Sequence, residues 1–461
     1  MKVSIVNHSQ IDKKVFRLEA EFYTSAIFTS GEYFTGDQII ESSEYNSIYG
    51  LNDKGIGYPV LRMNEFDSLF TGKPKLHSDK FSTDDFLSYA LKKGDILICR
   101  TNGNPKLVGK SALAARDYPY VYESHLFKIR PIDNLINSAT LVVFLNTEYG
   151  KMEIEKFSMQ GNQANFSLAK FKEMRIPKLA EKFNNSIEEL VFSSFNHLKS
   201  SEDNYSQAQN ILLSELGLTN WQPKHQLTFV KNYSDTKEAE RIDAEYFQPK
   251  YEEIEKAIKS YSGGWNTLGN LVNIKDKNIN PADEIEYKYI ELSNIASNGE
   301  VTDCMIEQGL SLPSRARRKV STKDVIVSSI EGSLPSIALV QKEYNKALCS
   351  TGFYVINSKS FNSETLLVLL KSPVGQLQLK KGCNGTILTA INKDEFKKVV
   401  LPIIDDETQS QIQQKITESF KLRKLSKHLL ECAKRAVEIA IEQDEDTAVK
   451  WLKHKTEKIQ T

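Results

Sequence analysis

Residues 3–23 (VSIVNHSQIDKKVFRLEAEFY) lie over residues 227–247 (LTFVKNYSDTKEAERIDAEYF) without a gap. Val6, Lys13, Arg17, Ala20 and Glu21 recur as Val230, Lys237, Arg241, Ala244 and Glu245, and most other positions keep their character. The offset, 224, is close to half of the 461 residues. A chain that repeats at that period is constrained to fold as two similar halves.

The repeat runs on. Lys93–Ile98 lies over Thr322–Val327, Asn64 over Ser293, Ala112-Leu113 over Ala338-Leu339, and Thr140–Leu145 over Thr365–Leu370. Gly150 then meets Gly375, Phe171-Lys172 meets Phe396-Lys397, and Ile176-Pro177 meets Leu401-Pro402. The offset drifts only between 224 and 229, which confines insertions to loops. A two-fold pseudo-symmetric protein suits a ligand of the same symmetry, and duplex DNA is the commonest such ligand.

Each half begins with short β-type runs such as Asp95–Cys99 and Val325–Val327, broken by Gly94-Asp95, Asn102-Gly103 and Gly263-Gly264. Each ends in one long amphipathic helix. After Pro177, Ser186-Ile187-Glu188-Glu189 has capping-box spacing, Ile187, Leu190, Val191, Phe195 and Leu198 recur at helical spacing, and Gly217 marks a stop. After Pro402, Asp405-Asp406 can cap a second helix with the stripe Ile412, Ile416, Phe420, Leu425, Leu429, Ala433, Val437. The expected fold is α+β, with 1–178 and 219–404 globular (219–240 a linker) and 179–218 and 405–461 helical. Two helices of ~50 Å need partners for their stripes and are expected to pair as an antiparallel coiled coil with pseudo-two-fold symmetry. Ile187, Leu190, Ile416, Leu425 and Leu429 would form its seam. Trp451 in the tail could meet a partner or fold back on the rod.

Formal net charge is zero. That counts against a stand-alone DNA binder, though not against one with segregated charge or basic partners. No apolar run approaches the ~20 residues of a membrane span, and no signal segment opens the chain. Five scattered cysteines suit reduced thiols in a cytoplasm. Gly103–Ser111 imitates a phosphate loop but has five residues between its glycines instead of four, and its second copy lacks Gly-Lys. The Asn/Asp-Pro-Pro-aromatic pocket of adenine methyltransferases, zinc-ligand spacings and a nucleophile elbow do not occur, so no catalytic or metal residue is expected in this chain.

The openings Arg17–Tyr23 and Arg241–Phe247, with Lys93–Leu97, the polar stretch Gln160–Ser167, and Ile176-Pro177 and Leu401-Pro402 ahead of the helices, make the chain resemble the specificity subunits of type I restriction-modification systems. The resemblance spans the whole chain and rests on the order of loose motifs. It implies two target recognition domains that read the halves of a split DNA target, and paired helices that space them and dock two methyltransferase subunits. Restriction subunits that translocate and cut DNA can join. S-adenosylmethionine, and ATP with Mg, would then be cofactors of the partners, with none in this chain. The second half offers Cys383–Thr389 where the first has Gln160–Ser167, so the target is expected to be asymmetric. A related two-subunit phage-defence complex, and a coiled-coil scaffold without DNA specificity, are the competing readings.

Base readout needs side chains that donate and accept in fixed geometry. The expected contacts in the first half are Arg62, Asn64, Arg100, Thr101, Asn102, Lys106, Lys110, His125, Gln160, Asn162, Gln163 and Asn165. In the second half they are Ser293, Asn294, Arg315, Arg317, Arg318, Ser328, Ser329, Ser333, Lys381, Asn384 and Thr386. Arg315–Lys319 is the densest basic run and suits phosphates.

Overall fold

The computed structural model describes residues 32–47, 49–158, 164–385 and 389–457. The chain is α+β and divides into two compact units, 1–198 with 423–461 and 199–422. The division falls inside both long helices, Glu181–Glu215 and Asp406–Glu442, so each unit owns part of each.

In the first unit the strands Ile40–Tyr45, Leu126–Pro131, Ile96–Cys99, Ser111–Leu113, Phe70–Thr71 and Phe66–Asp67 form one sheet in that order. A smaller sheet orders Val121–Tyr122, Tyr58–Leu61 and Leu76–Ser78. Tyr33–Thr35 pairs antiparallel with Arg175–Pro177. The helix Ser138–Leu145 is buried on almost every face, which is why its sequence shows no amphipathic pattern. The same core takes in Phe183, Ile187, Val191 and Leu198 from the first long helix, and Leu430, Ala433, Ala436 and Val437 from the second. Ala448 and Leu452 of the tail helix Glu445–Glu457 join it, and Trp451 packs against it, so the tail folds back.

The second unit repeats much of this order of elements. Trp265–Thr267 pairs with Val400–Pro402, and Val272–Ile274, Phe353–Ser358, Val325–Ser328 and Ile337–Leu339 form one sheet. Met305–Gln308, Glu286–Ile290, Leu348–Ser350 and Ala316–Lys319 form another. The buried helix Ser363–Lys371 packs with Ala208, Leu212, Ile412 and Ile416.

The same polar joint recurs in both units. Asn137 caps its helix by accepting from Thr140 N (2.8 Å), and its Nδ2 donates to Asn184 O (3.0 Å) in the first turns of the long helix. Asn362 accepts from Thr365 N (2.7 Å) and donates to Gln409 O (3.0 Å). Thr140 and Thr365 hydroxyls donate to the same two carbonyls. Each joint satisfies buried groups that would otherwise cost about 1–3 kcal/mol apiece.

A second recurrence carries a change of chemistry. Gln378 Oε1 accepts from Val400 N (2.8 Å), while its Nε2 donates to Val400 O (2.9 Å) and Val374 O (2.8 Å). In the first unit Glu153 holds this place. Its Oε2 accepts from Arg175 N (3.0 Å), and its Oε1 is buried without a partner. The carbonyls that correspond to the two amide acceptors are those of Arg175 and Tyr149. A carboxylate cannot donate to them, but a carboxylic acid can. Burial also raises the Glu153 carboxyl above the ordinary range.

One helix expectation is corrected. Ser186 is no cap: the helix has already begun at Glu181, and its hydroxyl donates to Lys182 O (3.1 Å) one turn back. The position before the helix is instead closed by Glu445, which accepts from Ala180 N (2.9 Å). On the second helix Leu429 is buried and Leu425 is half-buried. Ser426 meets the first helix, with Ser194 Oγ on Ser426 O and Oγ (both 2.9 Å), and Leu430 is buried in the first unit's core. Ser201 Oγ and Ser419 Oγ make the matching contact in the second unit (3.0 Å). Ile187 and Ile416 are buried in the cores of the first and second units, and Leu190 packs against the first.

Candidate nucleic-acid interface

The strand Ile96–Cys99 runs out of the first sheet into a junction of three backbone segments. Arg100 N donates to His125 O (2.8 Å), Phe166 N donates to Arg100 O (2.8 Å), and Thr101-Asn102 pairs antiparallel with Ala164-Asn165. The junction gathers Arg100, Thr101, Asn102, His125 and Asn165 from three distant stretches. Thr101 Oγ1 lies 3.1 Å from His125 Nδ1. The Arg100 guanidinium sits 5.3 Å over the Tyr45 ring, which holds its planar donor fork in one orientation. Asn165 Oδ1 is buried without a partner, an unused acceptor at the same place. Asn102 Oδ1 accepts from Asn104 N (2.8 Å) and shapes the following turn, which carries Lys106 exposed.

The second unit builds the same backbone junction with other side chains. Ser329 N donates to Gly352 O (2.9 Å) and Ile391 N donates to Ser329 O (2.8 Å). Ser329 therefore stands where Arg100 stands, Gly352 where His125 stands, and Ala390 where Asn165 stands. The frame is kept while its readable groups are replaced. Arg315 is exposed beside it, its carbonyl accepting from Thr351 N (2.9 Å). Arg317 donates to Ser314 O (2.9 Å) and Asn280 Oδ1 (3.0 Å) with its outer face half-exposed.

Other expected contacts are placed differently. Arg62 clamps Glu65, with its N–H on Oε2 (2.7 Å) and Nη2 on Oε1 (2.9 Å), and so closes the turn that exposes Asn64. Lys110 is largely buried, 6.0 Å from the Phe66 ring, and burial lowers its pKa. Glu123 accepts from Met63 N (3.3 Å), and burial raises its pKa. Ser293 is exposed, while Asn294 is spent on its own turn, accepting from Glu291 N (2.7 Å). Lys381 pairs with Glu255 (2.6 Å), and Asn384 is exposed.

Ser328 is fully buried, 3.0 Å from the half-buried Ser333 hydroxyl, so neither presents a free group to a ligand. Arg318 is turned inward, its guanidinium on Phe353 O and 5.6 Å from the Tyr354 ring, where a register shift in the strand brings it under the sheet. Gln160, Asn162, Gln163 and Thr386 lie outside the described residues. Sequence reasoning missed Tyr45 and Gly352. Tyr45 is 55 positions from the arginine it supports. Gly352 has no side chain to attract notice, and only the repeat could point to it.

The phosphate-loop imitation ends in the strand Ser111–Leu113, with no helix to present backbone N–H groups. Gly109 is glycine for packing: its φ is +81° and a Cβ there would lie 2.4 Å from Ile154 Cγ2. Among the described residues no cluster of three or more His, Cys, Asp or Glu could hold a metal ion, and no helix is long and apolar enough to cross a membrane.

Residues 32–182 match the family model of the Type I restriction modification DNA specificity domain. Among solved structures, the chain is similar to the type I restriction-modification S subunit from M. genitalium, at 13% identity over 91% of this chain and 95% of that one, with a TM-score of 0.40. It is also similar to the HsdS subunit from Thermoanaerobacter tengcongensis, at 12% identity over 90% and 97%, with a TM-score of 0.30. A structure bearing on complex assembly and conformational transition of the type I R-M system matches at 14% identity over 88% and 98%, with a TM-score of 0.28. No curated protein matches the chain.

Proposed function

We propose, from the premise that residues 32–182 are a type I restriction modification DNA specificity domain, that the whole chain is the DNA-specificity subunit of such a system. Each unit reads one half of a split target through its backbone junction, and the halves differ in sequence. The observation that carries this is the shared frame with exchanged side chains. Arg100, His125 and Asn165 offer the first unit donors and acceptors of fixed geometry, and Ser329, Gly352 and Ala390 leave the second a shallower, differently equipped surface.

The long helices pair antiparallel and join the two reading units. In support, Ala180 meets Glu445 and Ser194 meets Ser426 as the two helices run in opposite senses within the first unit. Two adenine-N6 methyltransferase subunits dock on the chain, and a restriction and translocase subunit can complete the assembly. Catalysis, S-adenosylmethionine, ATP and Mg belong to those partners. The place of action is the cytoplasm.

Phosphate contacts give affinity without sequence, and Arg315 and Arg317 are placed to make them. The test is the affinity of the full chain, with its methyltransferase, for duplex DNA across a salt series. Arg315→Ala with Arg317→Ala weakens binding to all duplexes alike and reduces the salt slope by about one to two. A chain whose duplex affinity does not respond to salt would be a scaffold, and the proposal would fall.

A further inference from the structure

The smaller sheets of the two units share a register and differ at one edge. Val60 stands between Val121 and Leu76, and Tyr289 between Leu348 and Met305, so 58–78 lies over 287–307 at an offset of 229 without a gap. In the first unit Pro59, which has no N–H to give, pairs with His77, and His77 turns its N–H and C=O outward. Asn52 closes that edge: its N donates to His77 O (2.8 Å) and its O accepts from His77 N (2.9 Å). In the second unit Lys288 pairs with Ile306, and by the same alternation Ile306 turns its N–H and C=O outward. Met305–Gln308 is the edge of its sheet, and among the described residues no strand or bridge pairs with it on that side. The opposite edge of the sheet is closed by a bridge between Asn278 and Arg318.

The open edge differs from the closed one in its side chains as well. All four residues of Met305–Gln308 are exposed, Ile306 to 51%. At the far end of the strand Ile285 O accepts from Gly309 N (2.9 Å), and Ile285 and Leu310 are 54% and 76% exposed. Residues 283–310 hold seven Asp or Glu against one lysine, Lys288, which donates to Glu343 O (2.9 Å). Residues 54–81, the same stretch of the first unit, hold five Lys or Arg against three Asp or Glu. In a chain of zero net charge, the acidic excess sits where the edge is open. It repels a phosphate backbone, an anionic membrane and the same edge of a second copy. An extended segment of opposite charge is attracted instead, and Asn52 shows the backbone geometry by which this frame takes one.

We propose that the Met305–Gln308 edge is a docking site for an extended basic segment of a partner protein, which adds to the sheet as an antiparallel strand. Its backbone pairs with the outward N–H and C=O of Ile306. One of its apolar side chains lies beside Ile306, and the residues before and after it fall on the other face, beside Met305 and Glu307, where lysine or arginine fits. The assignment does not rest on the proposed function.

The probe is a fluorescein-labelled peptide of about six residues alternating lysine with valine, and the measurement is its fluorescence anisotropy with the full-length chain at about 0.15 M salt. The parent chain binds it saturably at one site. Ile306→Pro removes an outward N–H and no bond to Glu286–Ile290, and weakens binding about tenfold or more. Glu286→Lys with Glu307→Lys changes only exposed side chains, leaves the thermal unfolding midpoint in place and weakens binding as much. Ile306→Val keeps it. Methylating the valine nitrogens of the peptide abolishes binding to the parent chain, a loss that no misfolded variant can imitate. A parent chain that does not bind the peptide overturns the assignment. So does binding that follows charge but ignores both Ile306→Pro and the methylated peptide, which is plain electrostatic attraction. A dimer of the parent chain that Ile306→Pro dissolves gives the edge to a second copy, and overturns the assignment as well.

Discussion

At the scale of single residues, Glu153 and Gln378 fill equivalent places with different chemistry. Burial raises the Glu153 carboxyl above the ordinary glutamate value of 4.5, so the folded chain holds a proton that the unfolded chain releases. Stability therefore falls as pH rises from about 4.5 toward the folded pKa, by up to about 1.4 kcal/mol per pH unit, and is flat beyond it. Lys156 and Arg175 are the charged groups facing it, and both oppose the rise. Glu153→Gln reproduces the amide of the second unit and removes this dependence. Thermal midpoints of the two proteins between about pH 5 and pH 8 should diverge in favour of the variant as pH increases. A constant gap would mean that Glu153 titrates alike folded and unfolded. Arg100 is the corresponding test of reading. Arg100→Ala should cost about 1–3 kcal/mol of discrimination in one half of the target and none in the other, measured by selection from randomised duplexes. Relaxation in both halves would separate Arg100 from direct readout.

At the scale of elements, the joint built by Asn137 and Thr140, and again by Asn362 and Thr365, fixes each globular part to the start of a long helix. Asn362→Ala removes a helix cap and the side-chain donation to Gln409 O together. The expected loss is about 2 kcal/mol in denaturant unfolding, with a similar loss for Asn137→Ala. A loss below about 0.5 kcal/mol would show the joint to be replaceable by water. These elements also show what the sequence could reveal. Leu366–Leu370 and Leu141–Leu145 were legible because a run of branched aliphatics repeated at a fixed offset. Gly217 was legible as a stop because its φ of +68° suits glycine. Ser194 and Ser426 were not, because hydropathy cannot rank a serine into a seam. Its burial depends on a second serine 232 positions away. The inward turn of Arg318 was hidden for a like reason: a bulge between Ala316 and Arg318 shifts the face each side chain takes. The exposed basic run was readable as composition, while which of its arginines face solvent was a matter of register.

At the scale of the whole molecule, a near-neutral chain that repeats its frame and varies its junctions is suited to reading two different short sequences. The repeat, its offset and the α+β class were visible from the residues alone. The pairing of Arg100 with Tyr45, and of Ser329 with Gly352, needed the fold, since each joins segments separated by strands of the sheet. The central claim is that each unit reads its own half-site. It is tested most directly by expressing the full chain with its methyltransferase subunit and mapping N6-methyladenine across a genome by single-molecule sequencing. Residues 1–178 are then replaced by those of another specificity subunit. The account predicts a split, asymmetric methylated motif, of which one half changes and the other is retained base for base. A motif that changes in both halves, or an unsplit one, would contradict it.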